Sequence, residues 1–269
     1  MSNVKIFNNF KIHTQYSICE GAIKIDELAS YCKENKIKNI GICDSYNLCG
    51  ALEFAEKLSK SGTQPIIGTQ INFFLEGITG RLSLFGTTSL GYKNLIKLSS
   101  KSYLESDEKN EPHCEVSEFK NTNKDLILLS GNHYGLFGKL FKLNKLQQIE
   151  NSIKELKNIF KDRFYLEIQR HNELGEANYE NFMIELSTKY QIPLIATQEV
   201  FYLTKDMHEA HDALVCIGEK NFVDNSNRFK YSNQHFLKKN EDLIQLFNDI
   251  PEALENNYNF PYRFDFKPK

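Results

Sequence analysis

Several features that mark common classes of protein are missing from this sequence of 269 residues. No apolar run approaches the roughly 20 residues that span a bilayer, which excludes a helical membrane protein. The N-terminal stretch MSNVKIFNNFKIH has no apolar core, so we expect no secretory signal. Neither sign of charge is in excess, because 33 Lys and Arg face 35 Asp and Glu. We therefore expect little direct binding of DNA, which needs a surplus of basic residues.

Common catalytic and metal-binding motifs are missing as well. No phosphate-binding loop of the Gly-Lys-Ser/Thr type and no Gly-x-Ser-x-Gly nucleophile elbow is present. No C-x-x-C pair occurs, which argues against a structural zinc site. Without an export signal, we expect a cytoplasmic protein with reduced thiols. The cysteines are Cys19, Cys32, Cys43, Cys49, Cys114 and Cys216.

What the sequence does contain is an alternation of apolar runs with helical patterns. Hydrophobic residues make up 41% of the chain, enough for a sizeable core. The runs predict strands at 7–13, 38–44, 65–74, 81–85, 126–130, 164–168 and 193–197. The patterns predict helices at 26–33, 47–60, 92–103, 146–160, 179–190, 208–217 and 241–254. This order predicts an α/β fold, with parallel strands in a barrel-like sheet and helices on its faces.

Four polar residues fall at the ends of predicted strands: His13, Asp44, His171 and Glu199. In parallel α/β folds the chemistry lies at the carboxyl ends of the strands. Imidazole and carboxylate groups that meet there are typical of a hydrolytic metal site. Ordinary polar residues at strand ends give the same pattern, and spacing alone favours that interpretation.

A second candidate lies in the predicted helix 208–217. His208 and His211 are three residues apart and could share one face of the helix, where they could bind a metal. The alternative, which we favour, is the first turn of a helix with Asp206 near its cap. We also interpret Lys238 and Lys239 as the solvated start of a later helix.

Nine stretches of the sequence match one family in the right order. They are HTQYSICEGA (13–22), IGICDSYNLCGALEF (40–54), QPIIGTQINF (64–73), LGYKNLIKLSSKSYLE (90–105), LILLSG (126–131), FYLEIQRH (164–171), IPLIATQEVFYL (192–203), EAHDALVCI (209–217) and LFNDIPEALENN (246–257). With these motifs the chain resembles the N-terminal PHP (polymerase and histidinol phosphatase) domain of bacterial DNA polymerase III alpha subunits. The resemblance covers nearly the whole chain.

The resemblance implies a distorted (β/α)7 TIM-like barrel, the PHP fold. It also implies that residues 1–269 form one domain of a longer DNA-directed DNA polymerase, active in DNA replication. The helical end, about 240–269, would lead toward the polymerase palm, which holds the polymerase carboxylates and their magnesium. The partners implied are the rest of the alpha subunit and the C-terminal segment of the proofreading exonuclease subunit.

Active PHP domains bind a metal cluster, and some of the ligand positions match here. By this resemblance His13, Asp44 and His171 are retained, and Glu199 replaces an Asp. The other ligand positions hold different residues: Lys11, Ser45, Arg81 and Phe201 stand where active members have His, Gln70 where they have Glu, and Asn132 where they have Cys. Ser, Gln and Asn are poor ligands for zinc or manganese, and Phe is none.

The resemblance therefore predicts a vestigial pocket with no catalytic residues and no cofactor in this domain. Our hypothesis is that Lys11 and Arg81 replace the metal's charge and neutralise Asp44 and Glu199. The alternative is a residual zinc- or manganese-dependent phosphoesterase, nuclease or pyrophosphatase that uses the retained ligands.

Overall fold

The computed structural model describes residues 5–106 and 111–269. Within these ranges the strands are β1 (Lys11–Ile12), β2 (Asn39–Ser45), β3 (Gln64–Leu75), β4 (Ile78–Gly86), β5 (Cys114–Glu115), β6 (Leu126–Leu129), β7 (Phe164–Ile168), β8 (Leu194–Ala196) and β9 (Glu199–Val200). The α-helices are α1 (Ile25–Glu34), α2 (Ala51–Lys60), α3 (Ser89–Leu104), α4 (Leu136–Lys142), α5 (Leu146–Phe160), α6 (Glu176–Tyr190), α7 (His208–Gly218), α8 (Asn240–Leu246) and α9 (Pro251–Asn259). None of these helices has the length and apolar character needed to cross a membrane.

The strands form one curled sheet in the order β8-β7-β6-β4-β3-β2-β1-β9, with β5 beside β3. Its two end strands, β8 and β9, are separated in sequence only by Thr197 and Gln198. This short stretch pairs with β7 through its first half and with β1 through its second half. It thus links the two ends of the sheet, and the predicted α/β class with a distorted TIM-like barrel is confirmed.

The general expectation of parallel strands does not hold at β4. This strand runs antiparallel to both of its neighbours, β3 and β6. Glu76 and Gly77 connect β3 to β4 with φ angles of 52° and 83°. Such a two-residue turn with positive φ joins only antiparallel strands, because a parallel connection needs a crossover of many residues.

Two of the predicted helices have different bounds. The helix predicted over 47–60 begins only at Ala51, because the Asn47 side chain binds the backbone of Tyr16 and Cys49 and holds a loop. The helix predicted over 241–254 is two helices, α8 and α9. The second begins at Pro251; without an N–H to donate, this residue would interrupt one continuous helix over 241–254 but is tolerated in the first turn of α9.

Two further features differ from the sequence prediction. Helix α4 was not predicted at all; it is short and contains Gly138. Lys238, interpreted as solvated, is 8% exposed, and its ammonium group donates to the carbonyl of Gln234. Burial lowers the pKa of Lys238 to about 8.

Aromatic side chains close the barrel at the amino ends of its parallel strands. Phe260, which is fully buried, stacks on Phe10 with ring centroids 4.1 Å apart. Phe85 and Phe264 pack around the same ring. The Gln64 amide also donates to the carbonyls of 261 and 264. The C-terminal segment therefore seals this end of the barrel.

Candidate functional site

The carboxyl ends of the parallel strands surround a cavity of about 320 Å³. All of the residues predicted for the vestigial pocket lie at this end of the sheet, in or just after β1, β2, β3, β4, β7 and β9. Arg81 reaches it from the start of β4, because this strand runs in the opposite direction. The residues concerned are Lys11, His13, Asp44, Ser45, Gln70, Arg81, His171, Glu199 and Phe201.

The Lys11 side chain lies inside the barrel and is 1% exposed. Its Nζ is 2.8 Å from Glu167 Oε1 and 3.9 Å from Glu199 Oε1. Burial lowers the pKa of Lys11, but the two carboxylates outweigh burial and raise the pKa above its ordinary value. Lys11 is therefore a buried cation with two carboxylate neighbours.

Glu199 has protein donors at both of its carboxylate oxygens. Oε1 accepts from His13 Nε2 at 2.9 Å and from Gln70 Nε2 at 2.5 Å, and Oε2 accepts from Asn132 Nδ2 at 2.7 Å. Burial raises the pKa of Glu199, but Lys11 and His13 more than compensate and hold it well below the usual range. The carboxylate is therefore charged, and both of its oxygens accept hydrogen bonds from the protein.

Glu167 belongs to the same network, although the sequence analysis missed it. Its Oε1 accepts from Gln169 Nε2 at 2.8 Å and from the Thr197 hydroxyl, and it lies next to Lys11. One signal was available in the sequence, because Glu167 is the charged residue inside the apolar strand FYLEI. A buried carboxylate in a strand needs a buried partner.

Asp44 is held by donors from the loop that follows β1. Its oxygens accept from the Thr14 amide at 2.6 Å, the Thr14 hydroxyl at 2.8 Å and the Ser17 hydroxyl at 2.7 Å. Burial raises the pKa of Asp44, and these hydrogen bonds offset it only in part. The sequence analysis identified neither Thr14 nor Ser17 as a partner.

Our hypothesis was that Lys11 and Arg81 neutralise Asp44 and Glu199; Lys11 does lie beside Glu199, but Arg81 pairs with a different carboxylate. Arg81 instead forms a fork-like ion pair with Glu20, with Nη1 to Oε2 at 3.0 Å and Nη2 bonded to Oε1. Its Nε donates to the Tyr46 hydroxyl at 2.8 Å, and Ser45 donates to Glu20 at 2.5 Å. Burial raises the pKa of Glu20, but the Arg81 guanidinium outweighs this and lowers it.

His171 uses the lone pair that a metal would need. Its Nε2 accepts from the backbone N–H of Glu199 at 3.3 Å. Its ring stacks on His235 with centroids 4.0 Å apart and planes 1° apart. Burial, together with the nearby His235 and Lys238, places the pKa of His171 well below its ordinary value. The imidazole is therefore neutral and already bonded.

Phe201 fills the centre of an aromatic cluster. Its ring stacks on His13 at 4.5 Å and lies 5.5 Å from the ring of His211. His211 donates from Nε2 to the carbonyl of Glu20 at 2.7 Å, while His208 Nε2 bonds the carbonyl of Tyr231 at 3.1 Å. These two histidines bind different backbone groups, and helix α7 begins at His208.

These contacts decide how well the residues fit a divalent cation. The oxygens of Asp44 and Glu199 and the Nε2 of His171 all have protein partners. A cation at this position would have to break those bonds and lie near the Lys11 ammonium. Among residues 5–106 and 111–269, no three or more His, Cys, Asp or Glu side chains are arranged to hold a metal. The residues present do not fit a metal cluster.

Comparison with known proteins gives consistent matches. A family model described as PHP domain matches residues 9–171. The chain is 34% identical over 270 residues to DNA polymerase III subunit alpha of Caulobacter vibrioides, covering 97% of this chain and 23% of that protein. It is 35% identical over 261 residues to the same subunit of Rickettsia bellii, covering 97% and 22%. The chain thus spans less than a quarter of the length of these relatives.

One solved structure is also similar. It is a two-domain protein from Bacteroides vulgatus that contains a predicted PHP-like metal-dependent phosphoesterase. The TM-score is 0.46 and the sequence identity 10%, covering 88% of this chain and 62% of that chain.

Proposed function

This chain belongs to the PHP domain family, and on that premise we propose that it is a structural, non-catalytic domain of the alpha subunit of a bacterial DNA polymerase III. The similarity over 97% of the chain to two such subunits supports this proposal. DNA synthesis by the whole protein, with its magnesium, would belong to other parts of the subunit. The proposed location of the protein is the cytoplasm.

The main support for a non-catalytic pocket is the buried Lys11 ammonium, which lies beside Glu167 and Glu199. A hydrolytic metal site needs open coordination positions and unprotonated donors. Here the carboxylates instead accept hydrogen bonds from N–H and O–H groups of the protein and lie near the positive charge of Lys11. The proposed role of the pocket is to hold the barrel together without a metal.

Metal titration of the purified chain tests this part of the proposal. With zinc or manganese, in chelator-free buffer and without a histidine tag, calorimetry is expected to show no binding tighter than about 100 µM. Phosphatase and pyrophosphatase assays with manganese are expected to give the same background for the wild type and for His13→Ala. Stoichiometric tight binding together with turnover that His13→Ala abolishes would establish the phosphoesterase instead.

The second part of the proposal is that this domain docks the proofreading exonuclease subunit. The family resemblance suggests the role, and exposed apolar side chains such as Ile18 and Phe222 offer surface for a partner. Mixing the chain with the exonuclease subunit of the same organism is expected to give a complex at micromolar concentration by size-exclusion chromatography. Two separate peaks at that concentration would remove this role.

A further inference from the structure

The carboxylate of Glu167 is bonded on one side only. Lys11 Nζ lies 2.8 Å from its Oε1, and the same oxygen accepts hydrogen bonds from Gln169 and Thr197. Its Oε2 is buried and has no hydrogen-bond partner among residues 5–106 and 111–269. A buried carboxylate oxygen without a donor costs free energy, and most such oxygens in folded proteins bind either protein or ordered water.

His133 has a second buried atom of this kind. The residue is 3% exposed, and its Nε2 has no hydrogen-bond partner within the described part of the chain. Burial, together with the nearby Lys142, lowers the pKa of His133, so the imidazole is neutral and carries one N–H and one lone pair. Whichever of the two Nε2 holds, it needs a complementary polar group.

These two residues line the same small cavity, which lies between the end of β7, the loop 131–135 and helix α6. Its volume is about 10 Å³, close to the room that a single water molecule needs. Tyr179 also lines it, and the Tyr179 hydroxyl is 3.4 Å from the carbonyl oxygen of Gly131, longer than an ordinary O–H···O bond. Three residues with unsatisfied or weakly satisfied polar groups therefore surround a space of the size of one water.

The size and charge of this cavity exclude other occupants. A phosphate or other oxyanion is too large for it, and the carboxylates of Glu167 and Glu176 would repel the negative charge. A divalent cation is bound by three or more protein ligands, and residues 5–106 and 111–269 contain no such group of His, Cys, Asp or Glu side chains. Lys11 already supplies a positive charge to Glu167. A neutral molecule that both donates and accepts hydrogen bonds fits best.

We propose that this cavity is a binding site for one internal water molecule, which donates to Glu167 Oε2 and shares a hydrogen bond with His133 Nε2. The Tyr179 hydroxyl is its third partner. Buried waters in folded proteins make about three hydrogen bonds to polar groups that otherwise have no partner, and this site offers three.

The water joins the wall of the 320 Å³ cavity to the charged centre of the barrel. His133 directly follows Asn132, which lines that cavity and donates to Glu199. Glu167, on the other side of the water, is the neighbour of Lys11. His133 is thus a positioning residue, because it fixes the loop that carries Asn132. This inference does not depend on the function proposed above.

A high-resolution crystal structure of the chain tests the site directly. We expect one spherical density peak about 2.6–3.2 Å from both His133 Nε2 and Glu167 Oε2. A direct hydrogen bond between these two atoms, with no peak, would overturn the proposal. A peak with several oxygen contacts shorter than about 2.5 Å would overturn it as well, because such contacts identify a metal cation.

Variants of His133 test the bond in solution. His133→Phe keeps an aromatic ring without nitrogen and is expected to lower the melting temperature by about 3–8 °C, because the water and Glu167 Oε2 lose a partner. His133→Gln places an amide near the position of Nε2 and is expected to recover at least half of this loss. His113→Phe, at a half-buried position, is the matched control and should melt within about 2 °C of the wild type.

Two results of the melting experiment would contradict the proposal. One is a His133→Phe protein that melts like the wild type, and the other is a His133→Gln protein that is as unstable as His133→Phe. If His133→Phe does not fold, the stability of His133→Gln and the density peak in the wild type still decide the question.

Discussion

The ammonium group of Lys11 lies in the interior of the barrel, 2.8 Å from one carboxylate and 3.9 Å from another. A buried ion pair is costly to form, but removing one member is costlier, because the other charge is then left without a partner. Both carboxylates also bind other side chains, so Lys11 supports a network rather than one bond. Loss of Lys11 should therefore lower the stability of the folded protein.

Replacement of Lys11 by Met is expected to lower the free energy of unfolding by about 3–5 kcal/mol, because Glu167 becomes a buried, unneutralised carboxylate. Urea denaturation monitored by circular dichroism measures the change. The double variant Lys11→Met with Glu167→Gln is expected to recover much of the loss, because both charges are gone. An unchanged midpoint in the single variant would contradict the role assigned to Lys11.

His211 gives a prediction about pH. Burial lowers the pKa of His211 from 6.5 to about 4, so the folded protein keeps this ring neutral where the unfolded chain is protonated. Between these two pKa values the unfolded state binds more protons, and stability falls as pH falls. The shift corresponds to about 3 kcal/mol, lost as the pH decreases from about 6.5 to 4.

The measurement is the free energy of unfolding of the wild type and His211→Gln from pH 7 to pH 4. The variant is expected to show a shallower decline, although His171, whose pKa is also lowered, leaves part of the slope in place. His113→Gln, at a half-exposed position, serves as the control and should follow the wild-type curve. Equal slopes for wild type and His211→Gln would refute the assignment.

Helix α4 packs very closely against the backbone of the loop before it, and its sequence pattern did not indicate this contact. Gly138 lies in its middle, and a Cβ there would be 2.2 Å from the backbone carbon of His133. The loop 131–135 that ends at this helix also carries Asn132, which binds Glu199. The glycine thus allows a helix and a site loop to approach each other.

Gly138→Ala is expected to destabilise the protein by about 1–3 kcal/mol, because backbone must move, even though Ala favours a helix more than Gly does. Thermal melting measures the effect. Lys139→Ala, at the exposed neighbouring position of the same helix, is expected to stay within about 0.5 kcal/mol of the wild type. A stabilised Gly138→Ala protein would show that helix propensity outweighs the contact.

Over the whole molecule, the C-terminal segment closes the barrel end that lies away from the pocket. Phe260 is the centre of this closure, with Phe10, Phe85 and Phe264 around it. Arg263 adds hydrogen bonds to the Asp162 carbonyl at 2.7 Å and to the Tyr165 hydroxyl at 2.6 Å. The segment therefore belongs to the core of the fold.

Phe260→Ala is expected to cost about 3–5 kcal/mol of stability, because it leaves a cavity among fully buried rings. Chemical denaturation provides the measurement. Tyr262→Ala, two residues away and 87% exposed in the wild type, is the matched control and is expected to change stability by less than about 0.5 kcal/mol. A similar loss in both variants would mean that the ring of Phe260 has no special role.

The sequence by itself determined the elements whose signal is local. Helix α5 and strand β7 have the bounds that periodicity predicts, because each apolar stripe is written in neighbouring residues. It also determined, through the family motifs, that the residues of the pocket meet at one end of a barrel. Alternation of strand and helix is enough to place strand ends together.

Only the tertiary structure decided which charged groups pair. Arg81 binds Glu20, 61 positions away, and Lys11 binds Glu167 across the barrel. It also decided that β4 runs antiparallel and that Lys238 is buried. Local patterns carry no information about such pairs, because the geometry that joins them exists only after the sheet has curled and its ends have met.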